Sequence, residues 1–391
     1  MGCLAAGGGP RAAGPERARD AGPGGVNVPS SPLEAPALLS RRVALVTGGA
    51  GFIGSNLADR LATDGHDVLV LDALARPGVE ANLQWLKARH PERVTARIAD
   101  IRDEAAVEEA ARDAKVVFHL AGQVAVTTSL ADPRDDFDVN LRGTFNLLDA
   151  LRRQGRAVPL VFASTNKVYG ALADVALERA ADGYRPVDPA LRGHGIGEAR
   201  PLDFHTPYGC SKGGADQYVL DFARSFGIPT AVLRMSCIYG QRQMGTEDQG
   251  WVAHFLIRAL RGEPITIFGD GWQVRDVLQV DDAVAAYLAA WQRIDAVSGQ
   301  AFNLGGGPDN AVSLRQVLAA IEELVGRRVM VDYADWRAGD QRYYVSDTRL
   351  ARRELGLRAS TPWRNGLAGL ARWLGEAQAP RKPASVAEAA R

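Results

Sequence analysis

Residues 46–54 read VTGGAGFIG, an apolar run that breaks into glycines and then turns amphipathic. Upstream, RRVALVTG has the composition of a short buried strand; downstream, Ile53, Leu57 and Leu61 recur at helical spacing, with Gly65 placed as a stop. Two registers of a glycine fingerprint fit the turn: Gly49, Gly51 and Gly54 as G-x-G-x-x-G, and Gly48, Gly51 and Gly54 as G-x-x-G-x-x-G. Glycines there permit a tight strand-to-helix turn and bring backbone N–H groups, with those of Phe52 and Ile53, close to a pyrophosphate. The positive end of the helix dipole favours that anion. A turn of this composition is also compatible with a purely structural role. The second strand, DVLVLD, ends in Asp72, where a carboxylate would bind the adenosine ribose hydroxyls and repel a 2′-phosphate, so NAD is expected rather than NADP. The structural alternative for Asp72 is a loop cap.

Outward from this stretch the alternation continues. RVTARIAD, KVVFHLAG, PLVFASTN and PTAVLRMS read as strands, and EAAVEEAARD, FDVNLRGTFNLLDALRRQG and YGCSKGGADQYVLDFARSFG as the helices between them. Strands apolar throughout and separated by helices imply a parallel sheet covered on both faces. The expected fold class is α/β, a doubly wound parallel Rossmann sheet with a smaller mixed α/β C-terminal lobe. We divide the chain into a disordered extension at 1–38, a dinucleotide domain at 41–245 with 280–295, a substrate lobe at 246–279 and 296–375, and a loose tail at 376–391. Asp100 and Ile101, ending the third strand, and Leu120, Ala121 and Gln123 of HLAGQ, ending the fourth, are expected to line the adenine and ribose channel, because ligands bind at these strand ends.

Composition excludes several classes. Forty-six Lys and Arg balance 46 Asp and Glu, which leaves no basic excess for nucleic acid. No apolar run reaches the roughly 18 residues of a membrane span. Three cysteines, Cys3, Cys210 and Cys237, are too few and too scattered for a disulfide framework, and point to a reducing, cytoplasmic compartment. The six histidines show no metal spacing, and His119 reads as a hydrogen-bonded core residue.

In PYGCSKGG, Tyr208 and Lys212 stand four apart on one helix face, and the strand PLVFAST ends in Thr165. A tyrosine brought from a pKa of about 10 to neutrality needs ~4 kcal/mol of preference for phenolate. One cation ~4 Å away supplies ~4 kcal/mol at an effective dielectric of about 20. The pair therefore reads as a proton-transfer site, with Thr165 hydrogen-bonding the substrate hydroxyl; a solvated helix face is the bland alternative.

TGGAGFIG, HLAGQ, VNLRGTFNLLDA, STNKVYG, YGCSK, GDGWQVRDVLQVDD and FNLGGG occur in the order found in the extended short-chain dehydrogenase/reductases that act on nucleotide sugars, and residues 42–375 resemble that family. Within it, STNKVYG, DFHTPYGCSKGGADQY and DQRYYVSDTRLA look most like 2-epimerases of CDP-sugars. The resemblance implies bound NAD; Thr165, Tyr208 and Lys212 as catalytic triad; Arg275 and Arg337 on the substrate diphosphate; a nucleotide-sugar substrate, CDP-linked by preference; and a homo-oligomer, dimer or tetramer. Related 4,6-dehydratases carry an Asp-Glu pair directly after the Thr, where this chain has Asn166 and Lys167. Neither supplies carboxylate acid–base chemistry. They are expected to hold substrate hydroxyls or polarise a transient ketone, or Lys167 to serve as an ion-pair partner. Inversion at C2 is implied; a 4-epimerase, a 4-ketoreductase and a non-catalytic NAD sensor are the alternatives.

Overall fold

A computed structural model describes residues 42–378 of the chain. The extension expected over 1–38 lies outside the described residues, as does the tail beyond 378; residues 376–378 still belong to a helix, Trp363–Gln378. Among the described residues, seven parallel strands form the main sheet: β1 (Val43–Thr47), β2 (Val68–Asp72), β3 (Val94–Ile98), β4 (Ala114–His119), β5 (Leu160–Thr165), β6 (Thr230–Met235) and β7 (Gln300–Leu304). Their spatial order is β7-β6-β5-β4-β1-β2-β3. The order reverses between β1 and β4, and a crevice opens there at the carboxyl ends of the strands.

The connecting helices are α1 (Phe52–Thr63), α2 (Val79–Arg89), α3 (Glu104–Ala111), α4 (Gly143–Arg153), α5 (Thr206–Phe226) and α6 (Val280–Gln292). Period-2 alternation sends neighbouring strand residues into two different cores. Ala44, Val46, Val68, Val70, Val116 and Phe118 pack with Leu57 and Leu61 of α1, Leu86 of α2 and Tyr287 of α6. Leu45, Leu71, Val117 and Phe162 pack with Val107 of α3, Leu147 and Leu151 of α4 and Val219 of α5. Both faces are thus dry, which is why these strands read as continuous apolar runs. The sheet is doubly wound.

Beyond the sheet, helices Trp251–Arg261, Leu314–Val325 and Trp363–Gln378 enclose a third core around Phe255, Ile267 and Ile321. Strand Ile265–Phe268 pairs in parallel with Val331–Ala334. Strand Val274–Gln279 is flanked by Ala311–Ser313 antiparallel and by Tyr343–Tyr344 and Cys237–Tyr239 parallel. One boundary drawn from the sequence moves: β7, placed in the lobe when the cut fell at 296, pairs with β6 along Ala231–Met235 and forms the edge of the main sheet. Its short QAFNL has no helix-flanked pattern to mark it. No helix among the described residues is long and apolar enough to cross a membrane.

Candidate active site

Apart from Gly49, every site residue named from the sequence lines one cavity of about 1000 Å³ at the carboxyl ends of β1, β2, β4 and β5. The structure also chooses between the glycine registers, since Gly48, Gly51 and Gly54 line the cavity and Gly49 packs instead against Val70. Gly48 has φ +69°, and a Cβ there would stand 2.7 Å from Ala121 N. A Cβ on Gly54 would stand 2.1 Å from Gly48 O, so only glycine lets α1 begin this close to the turn. The N-cap of α1 is Gly51, which offers no side-chain cap, so the first amides of the helix are left to the cavity.

The carboxylate of Asp72 is held at the cavity edge by two backbone amides, Ala50 N to Oδ2 at 2.9 Å and Leu74 N to Oδ1 at 2.8 Å. Backbone cradle and fixed acceptor together fit a dinucleotide. Asp100 and Ile101 lie in the loop beyond β3, which ends at Ile98. Arg102 grips Asp100 through Nε at 2.9 Å and Nη2 at 2.6 Å, and this hydrogen bonding holds the carboxyl below its usual range. Thr47 accepts from Ala121 N at 3.2 Å and pairs with His119 Nδ1 at 2.7 Å, while His119 Nε2 meets Thr144 Oγ1 at 3.0 Å. Thr144 donates to Asn140 O, so the ring donates from Nε2 and accepts at Nδ1. Burial lowers its pKa to about 3, with Lys212 adding to the fall, and His119 is a neutral strut bracing the β1 and β4 ends.

Thr165 ends β5, and Tyr208 and Lys212 project from the first turns of α5, all three buried. The Tyr208 phenol shares a hydrogen bond with the Thr165 side chain. Lys212 Nζ sits 4.2 Å from the centroid of the Phe162 ring. Spacing alone has Lys212 draw the phenol toward neutrality; in the structure burial is the largest influence on Tyr208. Burial pushes Tyr208 up to about 12, against the pull of the Thr165 hydrogen bond and with a further push from Asp136. Burial likewise draws Lys212 down to about 7, opposed by Asp216 and Asp136. Both shifts have one cause: a dry site disfavours both phenolate and ammonium.

The opposite wall carries the predicted substrate residues. Asn166 Nδ2 donates to Gln341 Oε1 at 3.2 Å, and Lys167 Nζ donates to Gly339 O at 3.0 Å. Burial lowers the Lys167 pKa to about 8, helped by Arg275 and opposed by Asp340. Arg275 donates to Asp340 Oδ1 at 2.6 Å, to Val274 O and to Gln341 O, which ties the 339–341 segment to the lobe sheet. Arg337 lies 3.6 Å above the Phe268 ring, donates to Glu247 O at 2.9 Å and pairs with Asp248 at 3.3 Å. Both arginines thus face the cavity with a carboxylate already beside them.

Sequence reading missed Asp136, Asn140 and Ser211. Asn140 sits in a π-helical turn, Asp138–Arg142, which swings its amide onto Gln123: Oδ1 accepts from Gln123 N and Nδ2 donates to Gln123 O, both at 3.0 Å. Asp136 accepts from Asn140 Nδ2 at 3.1 Å and from Ser211 Oγ. The position of Ser211 between Tyr208 and Lys212 was a usable signal. Asp136 had none, because in DPRDDFD it looks like one of several solvated acids.

Residues 44–305 match the NAD dependent epimerase/dehydratase family. A CDP-paratose 2-epimerase of Salmonella typhi is 40% identical over 321 residues, covering 78% of this chain and 91% of that protein. Solved structures share the fold, two of them 4-epimerases of UDP-glucose. The UDP-glucose 4-epimerase of Thermotoga maritima with UDP-glucose superposes with a TM-score of 0.73 at 31% identity, covering 85% of this chain and 99% of that one. The Thermus thermophilus UDP-glucose 4-epimerase complexed with NAD gives 0.72 at 33% identity, covering 85% and 99%.

Proposed function

The chain belongs to the NAD dependent epimerase/dehydratase family, and from that premise we propose that it epimerises a nucleotide sugar, by preference a CDP-linked sugar inverted at C2. The observation that carries the reading is the meeting of Thr165, Tyr208 and Lys212 where the glycine-turn wall joins the wall of arginines. The 40% identity to a CDP-paratose 2-epimerase supports the choice of sugar. The cofactor is NAD. Gly48, Gly51, Phe52, Ile53 and Gly54 would hold its pyrophosphate, Asp72 its adenosine ribose, Asp100, Ile101, Leu120, Ala121 and Gln123 the channel between, and Lys212 the nicotinamide ribose. Bound there, NAD supplies reversible hydride acceptance from a sugar carbon.

The chain's own residues do the rest. In its phenolate form, which the positive charges of Lys212 and of bound oxidised NAD would favour over the desolvation of the empty site, Tyr208 removes the proton of the sugar hydroxyl as its carbon is oxidised, and returns it after the keto sugar has turned over. Thr165 orients that hydroxyl. Arg275 and Arg337 hold the diphosphate through the turnover, as planar forks suited to paired oxygens. Asn166 and Lys167 stand close to Thr165 with donors and no carboxylate, so the ketone is held and polarised rather than dehydrated.

The cysteine usage supports a cytoplasmic enzyme. A homodimer through α4 and α5 is supported by the exposed aromatics Phe145, Tyr218 and Phe226 on those helices, and light scattering reads it directly. To test the activity, the protein is incubated with CDP-, UDP- and dTDP-sugars and products are assigned by NMR. Inversion at C2 of a CDP-sugar without added cofactor is expected. Inversion at C4 of a UDP-sugar would establish the 4-epimerase alternative, which the two structural relatives favour, and dependence on added NAD(P)H would establish a ketoreductase.

A further inference from the structure

Two buried carboxylates stand by the Lys212 stretch of α5, Asp216 on the helix itself and Asp136 held by Ser211, and they are partnered differently. Asp216, one turn along α5, receives two 2.9 Å bonds from the Arg234 guanidinium and a third from Ser164 Oγ at 2.7 Å. Its charge is answered by a buried cation. Asp136, on the short helix Pro133–Phe137, is 1% exposed, and its hydrogen bonds come from neutral donors: the Ser211 hydroxyl and the Asn140 amide. Ser211 precedes Lys212, itself 4% exposed. A buried carboxylate held by a hydroxyl and an amide keeps its field, and in a dry site that field reaches the nearest titrating groups with little screening.

We propose that Asp136 is the buried counter-charge of Lys212, a positioning residue whose negative field favours the ammonium form that Lys212 presents to the phenol of Tyr208. The proposal rests on the reading of Tyr208 and Lys212 as the reacting pair. The other charged or titratable groups around them are accounted for. Asp135 pairs with Arg102 at 2.7 Å and Asp138 with Arg142 at 3.1 Å, on the outer side of the same segment. His119, behind Lys212, is neutral, and Asp216 is bound to Arg234. Asp136 raises the pKa of both Tyr208 and Lys212, and Lys212 in turn lowers that of Asp136, whose largest influence is the upward push of burial.

The chain has five lysines, Lys87, Lys115, Lys167, Lys212 and Lys382, so lysine labelled with ¹³C at Cε gives a spectrum in which Lys212 is assigned by its loss in Lys212→Arg. The full chain with its co-purified NAD is titrated as wild type, Asp136→Asn and Ser211→Ala. Asp136→Asn keeps a side chain of the same shape and removes only the charge. It is expected to move the Lys212 midpoint down by about 1 pH unit, and to move the pH profile of kcat/KM toward acid, since losing a negative charge lowers both pKa values. Ser211→Ala removes a hydrogen bond, keeps the charge, and should leave the midpoint in place. A Lys212 midpoint unchanged in Asp136→Asn overturns the proposal, as does an equal shift in Ser211→Ala. Should Asp136→Asn not fold, Asp136→Gln against Asp136→Glu carries the test, with the downward shift expected only in the former. Because the lysine signal needs no turnover, a failed epimerase reading and a failed counter-charge reading give different results.

Discussion

On the β1–β4 side of the cavity the contacts come from backbone: amides at the start of α1, the turn at Gly48, and a carboxylate at Asp72 fastened by Ala50 N and Leu74 N. On the lobe side they come from long side chains held by partners far away in the chain: Arg275 by Asp340, Lys167 by Gly339 O, Arg337 by Glu247 O and Asp248. In the function proposed, the first wall takes what is constant in a dinucleotide, and its contacts are local. The second would take the nucleotide sugar, and it is assembled from pairs that a substrate diphosphate can compete with. Between them stand Tyr208 and Lys212, which belong to neither construction and are governed by desolvation.

The comparison can be broken at each of these places. The largest effect is expected at the junction: Tyr208→Phe should lower turnover by about 10²–10⁴-fold, the usual worth of a positioned acid–base group, while NAD released on denaturation stays at the wild-type level. On the first wall, Gly54→Ala drives a methyl into Gly48 O, a backbone atom unable to step aside. Overpacking of this kind costs about 1–3 kcal/mol, and the variant should melt earlier and purify with less NAD. On the second wall, Arg275→Ala and Arg337→Ala should raise KM more than they lower kcat. A charge-assisted bond is worth about 1.5–3 kcal/mol, and Arg275, the more buried of the two, should show the larger rise.

Those two arginines also mark where sequence reasoning ended. The sheet, the glycine turn, Asp72, Tyr208 and Lys212 are legible because each is set by a local rule: period, turn geometry, a strand end, a four-residue spacing. That Arg275 is held by Asp340, 65 residues on, and Asn166 by Gln341, 175 on, is written in no local pattern. Asp136 reaches Ser211 across 75 residues and hides in an acidic run. The direction of the Tyr208 shift was missed for a related reason, since spacing reveals a nearby charge but not how dry the site around it is.

A further effect lies in the pH dependence of stability. Lys212 and Lys167 titrate near 7 and 8 in the folded chain, below the unfolded value of about 10.4. Between those limits the unfolded chain holds more protons than the folded one, so each lysine makes stability rise with pH across that window. Lys167→Met and Lys212→Met should each flatten the rise in urea unfolding measured from pH 7 to 10. A slope equal to wild type would show that these lysines are better solvated than the structure places them.

The claim on which the account depends is that oxidation and return occur inside one closed site, with Tyr208 moving the hydroxyl proton and no carbon acid exposed to water. Turnover in deuterated water, followed by NMR of the product, tests it most directly. The account predicts hydrogen, not deuterium, at the inverted carbon after many turnovers; deuterium at that carbon would contradict it and require enolisation instead.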